Sequence, residues 1–291
     1  MKKRIITGII ALVMPVAVMF FVDSPLLGIL CVLFSGMASY EICHAVRMKN
    51  TAMIAIATAV GAMVPAILEY RLFELLRVPP WFPLLVYVFV LVVLMLAQFE
   101  KTRFEHVLYA LLASLAVPAA VSVLTVIRDF IKEREGAAYD KNLAVYFLFF
   151  TFCCAWLSDA FAYFVGSKLG KHKLCPKISP KKTWEGAIGG VLLTALANTG
   201  FAALFNAFFL KSHQLNLLAI GLISIPVCVV AIFGDLSAST LKRSYDVKDF
   251  GRFFPGHGGV MDRMDSISYA APFVYTLLQF ESSMNISIFY R

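Results

Sequence analysis

Long apolar runs recur along almost the whole chain, and that recurrence restricts the fold more than any other feature. A helix needs about 20 predominantly apolar residues to cross a hydrocarbon core of about 30 Å. Runs of this kind occupy 5–22, 25–42, 51–68, 82–98, 107–127, 143–166, 185–210, 215–234 and 266–286. In lipid a spanning segment must satisfy its own backbone hydrogen bonds, so each run is expected to be a helix. The expected fold class is therefore all-α: a polytopic helical membrane protein with about nine transmembrane helices. Composition agrees, because 60% of the residues are hydrophobic and only 15% are charged, against about 25% charged in soluble domains. Met1-Lys2-Lys3-Arg4 before the first run resembles a secretory leader, but no small-residue cleavage site follows, and an uncleaved first helix is expected.

The basic residues orient the runs. With the N-terminus cytoplasmic, 18 of the 26 Lys and Arg fall in the cytoplasmic segments, as the positive-inside rule requires. The two large loops at 168–182 and 242–263 carry most of the asymmetry, and the C-terminus is expected outside. The net charge of +8 then serves topology and anionic lipid headgroups, and nucleic acid is excluded as a partner. The six cysteines form no C-x-x-C pair and mostly lie in apolar runs, so neither a disulfide framework nor a zinc site is expected. No repeat or soluble domain interrupts the pattern. The N-terminal spans, 1–142, and the region carrying the two basic loops, 143–291, are expected to form one integrated membrane domain.

Against this background the polar residues stand out. Asp159, in Cys-Cys-Ala-Trp-Leu-Ser-Asp, lies about 10 Å inside the cytoplasmic end of its span. A carboxylate at such a depth marks a functional site, the alternative being a helix–helix hydrogen bond with Ser158 or a tyrosine. Asp235 stands where the eighth span leaves the membrane, and Asp262 and Asp265 open the ninth. Their i,i+3 spacing sets the last two on one helix face, and capping alone explains one of them better than two. Together the three acids suit Mg²⁺, which prefers oxygen donors and completes its shell with phosphate and water.

Two basic segments suit phosphate. Gly256, Gly258 and Gly259 allow a turn whose N–H groups form an anion nest, with Lys242, Arg243 and Lys248 close in sequence. In the other segment, Ser179-Pro180 reads as a helix start, which sets Lys181 and Lys182 in a first turn. Cations there oppose the helix dipole unless an anion is bound; the alternative is lysines that only anchor topology.

Ser239, Lys242-Arg243, Lys248-Asp249, Gly251, Pro255, His257-Gly258-Gly259 and Asp262-Arg263-Met264-Asp265 reproduce in order and spacing the C-terminal signature of the phosphatidate cytidylyltransferases, which this chain resembles. Ser179-Pro-Lys-Lys-Thr-Trp-Glu-Gly186 and Gly234-Asp235 resemble further blocks of that family, so the likeness covers roughly 155–266. One block departs. Where the family has Asp-Thr-Gly-Ala-Tyr-Phe, this chain has Asp159-Ala-Phe-Ala-Tyr-Phe164, so helix packing at 160–161 is expected to differ.

The resemblance implies an integral-membrane enzyme that joins CTP to phosphatidate and releases pyrophosphate, with Mg²⁺ and with a second cation left open. Asp235, Asp262 and Asp265 would hold the metal. Lys242, Arg243, Lys248 and Arg263 would engage phosphates. Asp159, Ser179, Lys181, Lys182, Thr183, Glu185, Ser239, Asp249, Gly258 and Gly259 would belong to the substrate pocket, and His257 would donate to a phosphate or brace the glycine loop. The implied setting is a bacterial inner membrane with the site facing the cytoplasm; a homodimer is left open. A relative acting on an isoprenoid or ether-lipid phosphate would keep the same motifs. A transporter would bind its substrate near the midplane, whereas the polar cluster here is at one face.

Overall fold

The computed structural model describes residues 21–254, 256, 258–284 and 286–290. The first apolar run lies almost wholly outside these residues. Each of the other eight coincides with a helix: α1 (Leu26–Ala45), α2 (Thr51–Glu69), α3 (Trp81–Ala97), α4 (Phe104–Ala138), α5 (Lys141–Leu169), α6 (Trp184–Phe208), α7 (Leu217–Ser244) and, after the single turn α8 (Met261–Met264), α9 (Ile267–Ser283). Six of them, α1, α2, α4, α5, α6 and α7, are long and apolar enough to cross a membrane, while α3 is an apolar helix of 17 residues. The chain is a multi-pass helical membrane protein.

Three boundaries differ from the sequence expectation. First, α7 continues ten residues past 234, because Leu236-Ser-Ala-Ser-Thr-Leu-Lys-Arg243 contains no glycine or proline to stop it, and Lys242 and Arg243 suit the negative end of the dipole. Asp235, Ser239 and Lys242 therefore belong to one helix rather than to a helix end and a loop. Second, Ser179-Pro180 does not begin a helix. Ser179–Thr183 is a strand, β2, paired antiparallel with β1 (Lys173–Cys175). The cap is Thr183, whose Oγ1 accepts from Gly186 N at 3.1 Å. Lys181 and Lys182 thus precede the helix, and the predicted clash with its dipole does not arise. Third, Asp262 and Asp265 do not share the first turn of the last helix, because α8 ends at Met264 and the next helix starts at Ile267.

By its internal contacts the chain divides into two compact units, one comprising Ser24–Thr125 with Lys242–Met264, the other Val126–Leu241 with the described residues on either side of these spans. In the first, α1 packs along α2 and α8 rests on α1. In the second, α5 and α6 pack closely along Gly186, Gly189 and Gly190. A Cβ on Gly190 would stand 2.6 Å from the Ser158 carbonyl oxygen, and one on Gly186 2.6 Å from that of Ala162. Small residues four apart let two backbones approach in this way. The close approach thus falls at 158 and 162, while Ala160 is exposed. Asn198 on α6 ties the unit further, donating to Ser224 Oγ at 3.0 Å. The chain end is also held: the buried Glu281 carboxylate accepts from Ile288 N at 2.7 Å and Phe289 N at 3.1 Å and faces Arg134 at 3.3 Å.

Candidate active site

In the second unit a cleft of about 260 Å³ is lined by Asp159, Tyr163, Ser179, Lys181, Lys182, Thr183, Asp235 and Ser239, with Ala162, Ala187 and Ile232 completing the wall. Three stretches far apart in sequence deliver these side chains. A π turn over Cys153–Leu157 precedes Asp159 on α5. One extra residue in a helical turn rotates all that follows by about 100°, which helps to aim Asp159 at the hairpin. The β1–β2 hairpin brings Lys182 between helices, and the straight run of α7 supplies Asp235 and Ser239.

Lys182 is the centre of the cleft. Its Nζ lies 2.6 Å from Asp235 Oδ2 and 3.1 Å from Asp159 Oδ1. Burial opposes its charge, yet the two carboxylates outweigh that effect and hold the ammonium above its usual pKa. Thr183 locks the hairpin to the helices: a Cβ at Gly166 or at Gly170 would stand 2.7 Å from its Oγ1. Glu185 does not reach the cleft. Its carboxylate accepts from Lys171 N at 3.1 Å and His172 N at 3.2 Å and meets His172 Nδ1 at 2.6 Å, so it closes the turn that leads into the hairpin.

The remaining described sequence candidates, Asp265 apart, lie in the first unit, where Lys242, Gly259 and Asp262 form a second arrangement. Lys242 Nζ donates to Asp262 Oδ1 at 2.7 Å in a buried pair and lies 5.2 Å from the centre of the Phe250 ring. Asp262 Oδ2 accepts from Phe250 N at 2.8 Å and Gly259 N at 2.9 Å. Val260 N and Met261 N donate to Glu41 at 3.0 and 2.8 Å. Of the glycine-turn N–H groups expected to cradle a phosphate, that of Gly259 is therefore occupied by the protein's own Asp262 carboxylate. Gly258 needs to be glycine for two reasons: its φ is +86°, and a Cβ would stand 2.8 Å from Asp262 Oδ2. Lys248 and Asp249 are exposed, as is Arg243, which donates to the Val247 carbonyl at 3.2 Å; Arg263 is half-buried. Asp265, in the second unit, is buried and accepts from Ser266 N at 2.7 Å. His257 and Pro255 lie outside the described residues. Glu41 escaped the sequence reading, although a carboxylate inside an apolar run was the available signal.

Three aspartates sharing one ion were expected, but among the described residues no group of three or more His, Cys, Asp or Glu is arranged to hold a metal. Mg²⁺ does not require one, since it is commonly held by one or two carboxylates plus substrate phosphates. Asp159 and Asp235 meet that demand, because two carboxylates already converge on a single cationic position. The donor set fits Mg²⁺ bound together with a phosphate-bearing substrate and does not fit a structural metal cage.

A largely helical membrane scaffold with a lysine–carboxylate cleft defines a broad class, and the comparisons narrow it. The cytidylyltransferase family model matches residues 2–281. The phosphatidate cytidylyltransferase of Bacillus subtilis is 31% identical over 284 residues, covering 96% of this chain and 97% of that protein. One from Rickettsia bellii is 32% identical over 67% of this chain and 80% of its own length, and one from Staphylococcus epidermidis is 41% identical over 45% of this chain and 48% of its own length. The chain belongs to the cytidylyltransferase family, and it is a nucleotidyltransferase.

Proposed function

We propose that the protein is an integral-membrane phosphatidate cytidylyltransferase, converting CTP and phosphatidate to CDP-diacylglycerol and pyrophosphate at the cytoplasmic face of a bacterial inner membrane. The observation that carries this reading is the cleft: seven residues singled out by the family's sequence blocks, Asp159, Ser179, Lys181, Lys182, Thr183, Asp235 and Ser239, line one cavity. The relatives named for this reaction support the choice of lipid.

The chemistry asks little of the protein in covalent terms. An oxygen of the lipid phosphate attacks the α-phosphorus of CTP, the bond to the β-phosphate bridging oxygen breaks, and the electron pair leaves with pyrophosphate. The attacking phosphate is already ionised near pH 7, so no general base and no protein nucleophile are needed. Positioning and charge neutralisation remain. Lys181 and Lys182 would face the triphosphate, Ser179, Thr183 and Ser239 would donate to phosphate oxygens, and Lys242, Arg243, Lys248 and Arg263 would serve phosphates as the resemblance implies. Mg²⁺ would be held by Asp235 and Asp159 and would neutralise charge on the triphosphate; the resemblance gives Asp262 and Asp265 a metal-binding role as well.

The test is to incubate the purified, detergent-solubilised protein with each of the four nucleoside triphosphates and phosphatidate, measuring pyrophosphate and the lipid product. CDP-diacylglycerol from CTP alone is expected, with Asp235→Asn and Asp262→Asn each abolishing most turnover in folded protein. Turnover with an isoprenoid or ether-lipid phosphate but not with phosphatidate overturns the choice of substrate. Near wild-type turnover by either variant, with unchanged Mg²⁺ dependence, overturns its metal role.

A further inference from the structure

Glu41 sits on α1, in the first unit, near the end of a run otherwise built of Gly, Ala, Ser, Cys, Met, Phe, Tyr and aliphatic residues, with His44 one turn on. It is 7% exposed, and both of its carboxylate oxygens are in use, Oε1 accepting from Val260 N at 3.0 Å and Oε2 from Met261 N at 2.8 Å. These two N–H groups precede Asp262 directly. The neighbouring N–H, that of Gly259, donates to Asp262 itself at 2.9 Å. Three consecutive backbone donors therefore serve two carboxylates, one from a distant helix and one from the loop's own Asp262.

The loop also leaves room for Glu41. A side chain at Gly251 or Gly259 would collide with its carboxylate oxygens. Neither glycine has a positive φ, so the backbone does not demand glycine there; the space does. Two positions on opposite arms of the loop are thus kept bare around one buried acid.

We propose that Glu41 is a positioning residue: it holds the backbone of Val260 and Met261 and so fixes where the Asp262 carboxylate meets Lys242. The inference rests on the reading above that Asp262 and Lys242 belong to the cytidylyl-transfer machinery. Glu41 touches neither substrate nor metal in this role. Its carboxylate offers an acceptor to each N–H, whereas an amide of the same shape offers one acceptor and turns a donor toward the other N–H.

The experiment compares wild type, Glu41→Gln, Gly251→Ala, Asp262→Asn and Glu41→Gln/Asp262→Asn in detergent, by hydrogen exchange and by steady-state kinetics. In Glu41→Gln the amides of Val260 and Met261 are expected to exchange at least about tenfold faster, with α5 and α6 unchanged. Turnover is expected to fall at least about tenfold, and the double variant to be no slower than Asp262→Asn alone, because two residues acting as one unit are not lost twice. Gly251→Ala displaces Glu41 without altering its chemistry and gives the same local exchange, which decides the matter if Glu41→Gln does not fold. Wild-type protection at 260–261 in the folded variants, or additive losses in the double variant, overturns the proposal. If the wild-type protein makes no CDP-diacylglycerol, the functional reading fails, and the exchange arm still decides whether Glu41 holds the loop.

Discussion

Replacing Lys182 by Met keeps most of the apolar stem but leaves Asp159 and Asp235 facing one another without the cation they share. Two consequences are expected: loss of most activity, and destabilisation of roughly 1 kcal/mol, a modest figure because the lysine side chain is one-fifth exposed and the pair partly screened. A second change, Asp159→Asn, then removes the repulsion, so Lys182→Met/Asp159→Asn should melt higher than Lys182→Met while remaining inactive. A double variant that melts lower than either single one refutes the shared-cation picture. The pH dependence has a definite sign. A folded-state pKa raised above 10.5 makes the lysine's contribution complete below that pH and lost only as pH rises through the folded value. The difference in melting temperature between wild type and Lys182→Met should therefore be flat between about pH 7 and 9 and shrink only above 10.5. Lys182 was identifiable from sequence as a site residue, but its seat was not. Ser-Pro before a lysine pair serves a helix start and a strand equally well, and only the Thr183 cap and the hairpin partner, 173–175, decide between them.

At the level of elements, the cleft depends on how closely α5 and α6 approach. A methyl on Gly190 must displace the Ser158 carbonyl, which lies one residue from Asp159 and cannot swing aside as a flexible side chain would. Gly190→Ala should cost about 1–3 kcal/mol, the usual range for overpacking, and should lower activity more than stability alone accounts for, since Asp159 moves with its backbone. Thermal melting together with turnover of the folded fraction checks this. Unchanged melting and turnover would show that the two helices are not in fact this close. The helices themselves were plain from apolar run length, because a spanning segment has no other way to satisfy its backbone. Their ends were not. An apolar window sees where hydrophobicity stops, at 127 or at 234, whereas a helix stops where its hydrogen bonding is interrupted, at 138 and at 244. The charged final turns of α7 therefore look like loop in the sequence, which hides the common helix of Asp235, Ser239 and Lys242. The π turn before Asp159 leaves no mark in composition and could not be read at all.

For the whole molecule the open quantity is how many times the chain crosses. Among the described residues six helices qualify by length and apolarity, and the nine-span topology expected from the sequence also requires α3, α9 and the first run to cross. The 17 residues of α3 rise about 26 Å, a few ångströms short of a typical core. Its surface argues for lipid nonetheless: Trp81, Phe82, Leu84, Leu85, Phe89 and Leu96 are all exposed large hydrophobics, and mismatch of this size is absorbed by local thinning of the bilayer. Sidedness decides the question, because, with α2 crossing, the loops before α2 and after α3 lie on the same side only if α3 crosses too. Lys49 and Lys101 occupy those loops and are exposed, so each can carry a single reporter cysteine. The native cysteines interfere little, since five of the six are buried and only Cys175 is partly accessible. With the site facing the cytoplasm, an impermeant maleimide added to intact cells should leave Lys49→Cys, Lys101→Cys and Cys175 unlabelled and should label Ser212→Cys, with the pattern reversed in inverted vesicles. Labelling Lys101→Cys from outside while Lys49→Cys stays protected would remove α3 from the crossing helices. Labelling Cys175 from outside with Ser212→Cys protected would invert the proposed orientation, and a site on that side would have no access to cytoplasmic CTP.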